Sequence, residues 1–353
     1  MLSVVYHIVG FVILIGVLVC VHELGHFLMA RWAGMRVYQF SIGFPPYLFT
    51  RTRNGVVYSI GSIPLGGFVR IAGMEPGDEK HPEGFGTKSL PWRFGVLVAG
   101  VVMNILLAAF IFMLLYCVIG VPTKPKLPAT VDYVEKGMPA EKAGFQPGDQ
   151  IVSVNRKRLI HPEKIREVIR SSDGKEPLEV VVRRGDRVLT LSVKPLKRVV
   201  PMIGVIFAYE HERVGLVEGA KMGARKTYET IASTWALLKA LLRGDKHARE
   251  GIGGPLAIIQ VSGATVKEGL LPYLEFMASL SVSLALLNIL PIPALDGGRI
   301  LFLFVDGALR LVGRRLDPRR EAIIHLAGFA VLILLILIVS AQDLGRWVGM
   351  VER

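Results

Sequence analysis

A helical membrane protein that crosses the bilayer about four times, with a membrane-associated β-hairpin and a small α+β domain inserted between its spans, is the fold class this sequence predicts. Hydrophobic residues make up 52% of the 353, and mean hydropathy is +0.47. Four stretches, roughly residues 4–30, 94–119, 271–290 and 323–340, stay apolar over the ~20 residues a helix needs to span hydrocarbon. Between the second and third, residues 121–207 alternate polar with β-branched side chains, as the strands of a water-exposed domain do. The net charge of +13 fits basic loops beside spans. No nucleic-acid partner is expected, because no basic run is interleaved with aromatics along one face.

Residues 1–120 hold spans one and two. No positively charged segment precedes span one, so it reads as a retained span and not a cleaved leader. It carries Val21-His22-Glu23-Leu24-Gly25-His26. Residues four apart on a helix share a face, so His22 and His26 can turn their imidazoles to one metal ion. Glu23 beside them is placed to take a proton from a water that the metal activates. Two imidazoles and a carboxylate at membrane depth are costly, and function is the default explanation for such a cluster. Cys20 and Cys117 lie in apolar runs without metal-type spacing, so neither a disulfide nor a thiolate ligand is expected.

Arg31, Arg36, Arg51, Arg53 and Arg93 lie between spans one and two. Arg299, Arg310, Arg314, Arg315, Arg319 and Arg320 lie between spans three and four. Basic residues near span ends mark the cytoplasmic side, which puts both loops there and both termini and the central domain outside. In the first loop, Val56-Val57-Tyr58-Ser59-Ile60 and Phe68-Val69-Arg70-Ile71 read as strands joined across Gly66-Gly67, a hairpin over about residues 54–73. Ile63, Pro64 and Leu65 at the bend suggest that it dips toward the membrane, where its backbone must be satisfied by the spans. Its free edge, with Gly66, Gly67 and Phe68, could pair with an extended peptide. A plain cytoplasmic hairpin is the competing reading. The polar, glycine-rich tail over residues 75–88 reads as mobile.

In the central domain, residues 178–183 and 188–193 read as strands and 161–170 as a helix with Ile165, Val168 and Ile169 on one face. The phrase Pro139-Ala140-Glu141-Lys142-Ala143-Gly144-Phe145-Gln146-Pro147-Gly148-Asp149-Gln150-Ile151-Val152-Ser153-Val154-Asn155 resembles the signature of bacterial PDZ domains. Such a domain implies a groove for peptide tails beside a strand. A groove that only filters by size fits the same residues. The next region, residues 208–270, opens with a mixed apolar and basic helix over 215–243 that reads as lying on the membrane surface, Trp235 near the interface. Residues 244–254 break it, and Gly253-Gly254-Pro255 starts a short apolar helix.

Residues 271–353 hold spans three and four. Span three ends in Asn288-Ile289-Leu290-Pro291-Ile292-Pro293-Ala294-Leu295-Asp296-Gly297-Gly298, where two prolines interrupt the helix at membrane depth. Asp296, just past the break, is placed to complete a set of two histidines and one carboxylate, leaving a fourth position to water or substrate.

Together these motifs resemble the site-2 protease family of intramembrane zinc metalloproteases, in the bacterial branch with a PDZ domain between spans two and three (the regulator of sigma-E protease type, here with a single PDZ unit). His22-Glu23-Leu24-Gly25-His26 matches its metal motif, and residues 288–297 match Asn-x-x-Pro-x-Pro-x-Leu-Asp-Gly. Ile63-Pro64-Leu65-Gly66-Gly67-Phe68 matches its membrane-reentrant loop, Ala99-Gly100 with Asn104 the start of its second span, and Gly254-Pro255 a further landmark. Val101 departs from the proline that often follows Ala-Gly. The resemblance implies one Zn2+ per chain on His22, His26 and Asp296, Glu23 as catalytic base, and Asn288 holding the substrate backbone. It implies a bacterial inner-membrane enzyme, active site toward the cytoplasm and PDZ domain outside. Its substrates would be single-span membrane proteins cut in or next to the membrane segment, such as anti-sigma factors or signal-peptide remnants. The alternative from another class is a non-catalytic membrane scaffold displaying a PDZ module. A metal transporter would need histidines and acids along several spans, and spans two and four carry almost none.

Overall fold

A computed structural model describes residues 2–351 apart from 76, 79–80, 136, 173, 175, 198–200, 246–252 and 315–316. Most of the expected 244–254 break, parts of the 75–88 tail and Arg315 of the basic loop therefore lie outside the described residues. The helices are α1 (Leu2–Trp32), α2 (Leu90–Val118), α3 (Pro139–Lys142), α4 (Pro162–Ser171), α5 (Leu216–Leu242), α6 (Pro255–Glu268), α7 (Leu270–Ile289), α8 (Asp296–Leu311) and α9 (Pro318–Val351). Four of them contain segments long and apolar enough to cross a membrane: Val5–Trp32, Leu90–Val118, Leu270–Ile289 and Arg319–Gly345. The chain is a polytopic, multi-pass membrane protein. It divides into two compact units, Met1–Leu115 with Leu216–Arg353, and Tyr116–Gly215.

In the first unit, glycines set where helices meet. At Gly25 of α1 an added Cβ would overlap the Ala99 carbonyl of α2, and at Gly10 it would come within 2.9 Å of Val266 in α6. Without a hydrophobic drive between apolar helices in lipid, such small residues let backbones approach and gain packing. The Tyr273 hydroxyl of α7 donates to the Gly10 carbonyl (2.7 Å), and the buried Asp343 of α9 accepts from the Gly254 and Ala257 N–H groups (2.9 and 3.2 Å) where α6 begins. The first half of the helix expected over 215–243 packs on span two. Gly219, Gly223 and Thr227, spaced four apart on α5, are buried, and a Cβ at Gly223 would come within 2.7 Å of the Met113 backbone of α2. That narrow small-residue face docks α5 against span two.

The loop between α1 and α2 holds β1 (Val37–Arg53) and β2 (Val56–Ile71), a two-stranded sheet. Its turn is Asn54-Gly55, with φ of 49° and 73°. Positive φ at both central residues is what a two-residue type I′ turn demands, and Asn-Gly supplies it at least strain. The expected bend at Gly66-Gly67 is therefore wrong: both glycines lie inside β2, where Gly67 pairs with Ile42. Both strands also fold back on themselves. Residues 39–42 pair with 67–70 on one side and 57–60 on the other, giving segments in the order 47–53, 56–61, 37–44, 63–71. Among the described residues, the segment with Gly66, Gly67 and Phe68 is left with a free edge. The described residues of the tail after β2 make specific contacts. Tyr38 donates to Asp78 (3.2 Å), Arg70 pairs with Glu75 (2.8 Å), and Phe85 is buried in a cluster with Ala30, Val37, Val56 and Val96.

The second unit begins with β3 (Val121–Pro125) and β4 (Val131–Val134). A four-stranded sheet follows, ordered β6-β5-β7-β8, from β5 (Gln150–Val154), β6 (Lys157–Arg158), β7 (Leu178–Arg184) and β8 (Arg187–Val193). Short strands β9 (Leu196–Lys197), β10 (Pro201–Met202), β11 (Val205–Phe207) and β12 (Tyr209–Glu212) complete it; β11 pairs with β4 and β12 with β3. Val180 and Val182 point inward with Ile151, Val154, Ile165 and Phe207. Asp149, fully buried in the Pro147-Gly148-Asp149 turn, receives two N–H groups of the Arg184 guanidinium (2.7 and 2.8 Å) and the Gln146 N–H (2.9 Å).

Candidate metal centre

His22 and His26 stand one turn apart on α1, on the side that α2 covers. α2 reaches them because residue 100 is glycine: a Cβ there would overlap His26 Nε2 and come within 2.7 Å of the His22 ring. The third participant arrives from the far end of the chain. α7 stops at Ile289, residues 290–295 turn sharply, and α8 starts at Asp296. Gly297 and Gly298 permit that reversal, since a Cβ on them would overlap the carbonyls of Ile289, Leu290 and Ile292.

The three side chains then form a small triangle. His22 Nε2 lies 3.0 Å from Asp296 Oδ2, His26 Nε2 lies 3.3 Å from the same oxygen, and the two nitrogens are 3.2 Å apart. A tetrahedral zinc ion with ligands at about 2.0–2.1 Å holds its ligand atoms about 3.3 Å from one another. The triangle thus has the size of one face of a zinc polyhedron, and two imidazole nitrogens with one carboxylate oxygen suit that metal. Both histidines are buried. His26 Nδ1 donates to the Val96 carbonyl (2.7 Å), which leaves Nε2 of the neutral ring as the free electron pair. Asn104, also buried, places its amide 3.3 Å from His22 Nδ1.

Glu23 lies next to this triangle, half-buried, its Cγ 3.4 Å from where a Cβ on Gly67 would stand. The expected substrate edge and the expected base are thus neighbours. Gly66 (φ +151°) lies against the Phe44 ring, and Phe68 stacks on that ring at 6.3 Å. Asn288 sits on α7 three residues beyond the buried Ala285 and seven beyond the buried Ser281, hence on the same helix face. It is half-exposed near the helix end.

Sequence reasoning passed over one residue that supports the site. His325 in α9 accepts the Ala294 N–H at Nδ1 (3.0 Å), where Ala294 holds a left-handed φ of 85° two residues before Asp296. A histidine within an otherwise apolar span was the available signal.

A family model described as peptidase family M50 matches residues 10–335. Among similar curated proteins, one from Clostridium acetobutylicum whose name places it with the zinc metalloproteases is 32% identical over 342 residues, 96% of this chain and 97% of that one. The zinc metalloprotease RasP of Oceanobacillus iheyensis is 29% identical over 429 residues, covering 96% and 99%. The regulator of sigma-W protease RasP of Bacillus subtilis is 29% identical over 422 residues, covering 96% and 98%.

Proposed function

This chain belongs to peptidase family M50 and is an intramembrane zinc metalloprotease; from that premise we propose that it hydrolyses peptide bonds in or next to the membrane segment of single-span membrane proteins, using His22, His26 and Asp296 as ligands and Glu23 as base. The triangle of ligand atoms 3.0 to 3.3 Å apart, assembled from both ends of the chain, is the observation that supports this most.

Bound zinc supplies Lewis acidity there, bringing the pKa of a water toward neutrality and polarising a carbonyl. His22 and His26 offer their Nε2 pairs, and the Asp296 carboxylate adds a negative charge that offsets the cation. Glu23 accepts the proton of the attacking water and returns it to the leaving nitrogen as the C–N bond breaks. A helical substrate keeps its carbonyls in its own hydrogen bonds, so it must unwind before reaction. The free edge at Gly66, Gly67 and Phe68, beside Glu23, offers the unwound strand backbone partners. Asn288 holds the substrate backbone from the α7 side.

One zinc ion per chain fits the single such triad among the described residues. The Bacillus subtilis relative is named a regulator of sigma-W protease, which favours membrane-anchored regulators such as anti-sigma factors as substrates, with signal-peptide remnants a second class. The arginines between spans one and two and between three and four support a bacterial plasma-membrane protein with the active site toward the cytoplasm. The PDZ-like unit then lies outside, where it meets peptide tails or filters substrates by size.

Glu23→Gln tests the chemistry. Zinc should stay bound, and cleavage of a membrane-anchored reporter should fall about 10²–10⁴-fold, the usual share of a general base. Undiminished cleavage removes Glu23 from the mechanism. Membrane peptides that accumulate with the variant and not with the wild type are candidate substrates.

A further inference from the structure

We propose that Asn104 is a positioning residue that sets the tautomer of His22: its side-chain carbonyl accepts the Nδ1 proton when metal is bound, keeping Nε2 free as the ligand atom. This rests on the assignment of His22 as a ligand.

Asn104 is fully buried in α2, one turn beyond Gly100. Its amide nitrogen lies 3.3 Å from His22 Nδ1, while its Oδ1 is buried with no hydrogen-bond partner among the described residues. Its place is fixed from a second side, because the Ser281 hydroxyl of α7 donates to its backbone carbonyl (2.8 Å).

A neutral imidazole carries one N–H. In the arrangement seen, the His22 Nε2–H can donate to Asp296 (3.0 Å) while Nδ1 accepts from the Asn104 amide. A ring whose Nε2 binds a metal has its proton on Nδ1 instead, and that proton needs an acceptor. The amide nitrogen would then oppose it donor to donor. The orphaned oxygen of the same side chain is the acceptor at hand: a half-turn about the last side-chain bond exchanges the two atoms with almost no change of shape. One residue thereby serves both states of His22. His26 needs no counterpart, since the Val96 carbonyl fixes its proton in either state.

Asparagine is suited to this because it can both donate and accept; aspartate only accepts, and leucine does neither. The test uses the full chain in detergent as wild type, Asn104→Leu, Asn104→Asp and His22→Ala, each assayed for zinc affinity by competition with a chromophoric chelator. Thermal unfolding of the metal-free forms checks folding. Asn104→Leu should bind zinc about 10–100-fold more weakly, the usual effect of removing a ligand's outer partner. Asn104→Asp should stay within a few-fold of the wild type. Wild-type affinity in Asn104→Leu overturns the proposal, and so does an Asn104→Asp as weak as the leucine variant, which would mean that donation is what His22 needs. If Asn104→Leu does not fold, the aspartate variant decides alone. If His22→Ala keeps zinc, the ligand assignment fails; if it loses zinc while Asn104→Leu retains it, only the role of Asn104 falls.

Discussion

At Gly100 the backbone of α2 stands so close to both imidazoles that even a methyl group has no room. The atoms in the way are ring atoms of His22 and His26, held by α1 on one side and by Val96 and Asn104 on the other, so they cannot simply swing clear. Gly100→Ala should therefore displace a ligand and lower zinc per chain, measured by elemental analysis of the purified protein. At Gly16, on the same helix as the histidines, an added Cβ meets nothing within 4 Å among the described residues. Gly16→Ala should leave zinc unchanged and favour the helix by up to about 1 kcal/mol. Equal zinc in both variants would show that the rings can move aside. The same scale explains what the primary structure disclosed of the site. The candidate residues His22 and His26, with Glu23 beside them, stand out in the sequence because four-residue spacing on a helix is a local rule. Asp296 needed the added inference that two proline-broken and histidine-bearing segments meet. The family resemblance marks Gly100 and Asn104, but their contacts to residues 26 and 22, 74 to 82 positions away, follow from no local pattern.

Among elements, residues 290–295 between α7 and α8 do the most for the site, because they aim Asp296. They are braced from α9: His325 takes the Ala294 N–H, and Gly328 leaves room for Pro293, which an added Cβ would overlap. His325→Leu would leave that part-buried N–H without its acceptor, at a cost of about 1 kcal/mol. The expected outcome is a lower thermal midpoint together with weaker zinc retention, read on the same purified sample; a variant equal to the wild type in both would mean that the prolines alone hold the turn. Elsewhere, average composition hides individual residues that decide local structure. Gly66-Gly67 suggests a bend, but Asn54-Gly55 is the dipeptide that tolerates two positive φ values. The charges and Trp235 of α5 point to the membrane surface, while its Gly219, Gly223 and Thr227 stripe decides its neighbour. The polar average of residues 75–88 hides one buried phenylalanine, Phe85, which packs with Ala30, Val37, Val56 and Val96. In each case a few small or special residues outweighed composition.

For the whole molecule, the division into two units has a thermodynamic consequence. His22, His26 and Asp296 all belong to the unit made of Met1–Leu115 and Leu216–Arg353, although they come from its two separate chain segments. The unit of Tyr116–Gly215 contributes no member of the triad and has its own core of Ile151, Val154, Val180, Val182 and Phe207. A ligand stabilises only the folding unit that binds it, by RT ln(1 + [L]/Kd), or about 4 kcal/mol at a thousand-fold excess over Kd. Chelation of zinc should accordingly lower the unfolding midpoint of the membrane unit and leave that of the PDZ-like unit where it was. The membrane unit would be followed by tryptophan emission, since Trp32, Trp92, Trp235 and Trp347 all lie in its segments. The other unit would be followed by proteolysis of an epitope placed within residues 116–215. Asp149→Ala supplies the reverse case: it strips Arg184 of its partner inside the second unit, so that unit should melt earlier while zinc content holds. A single transition that shifts with zinc in both probes would instead mean that metal binding at the triad is felt across the whole chain, and that the two units unfold as one.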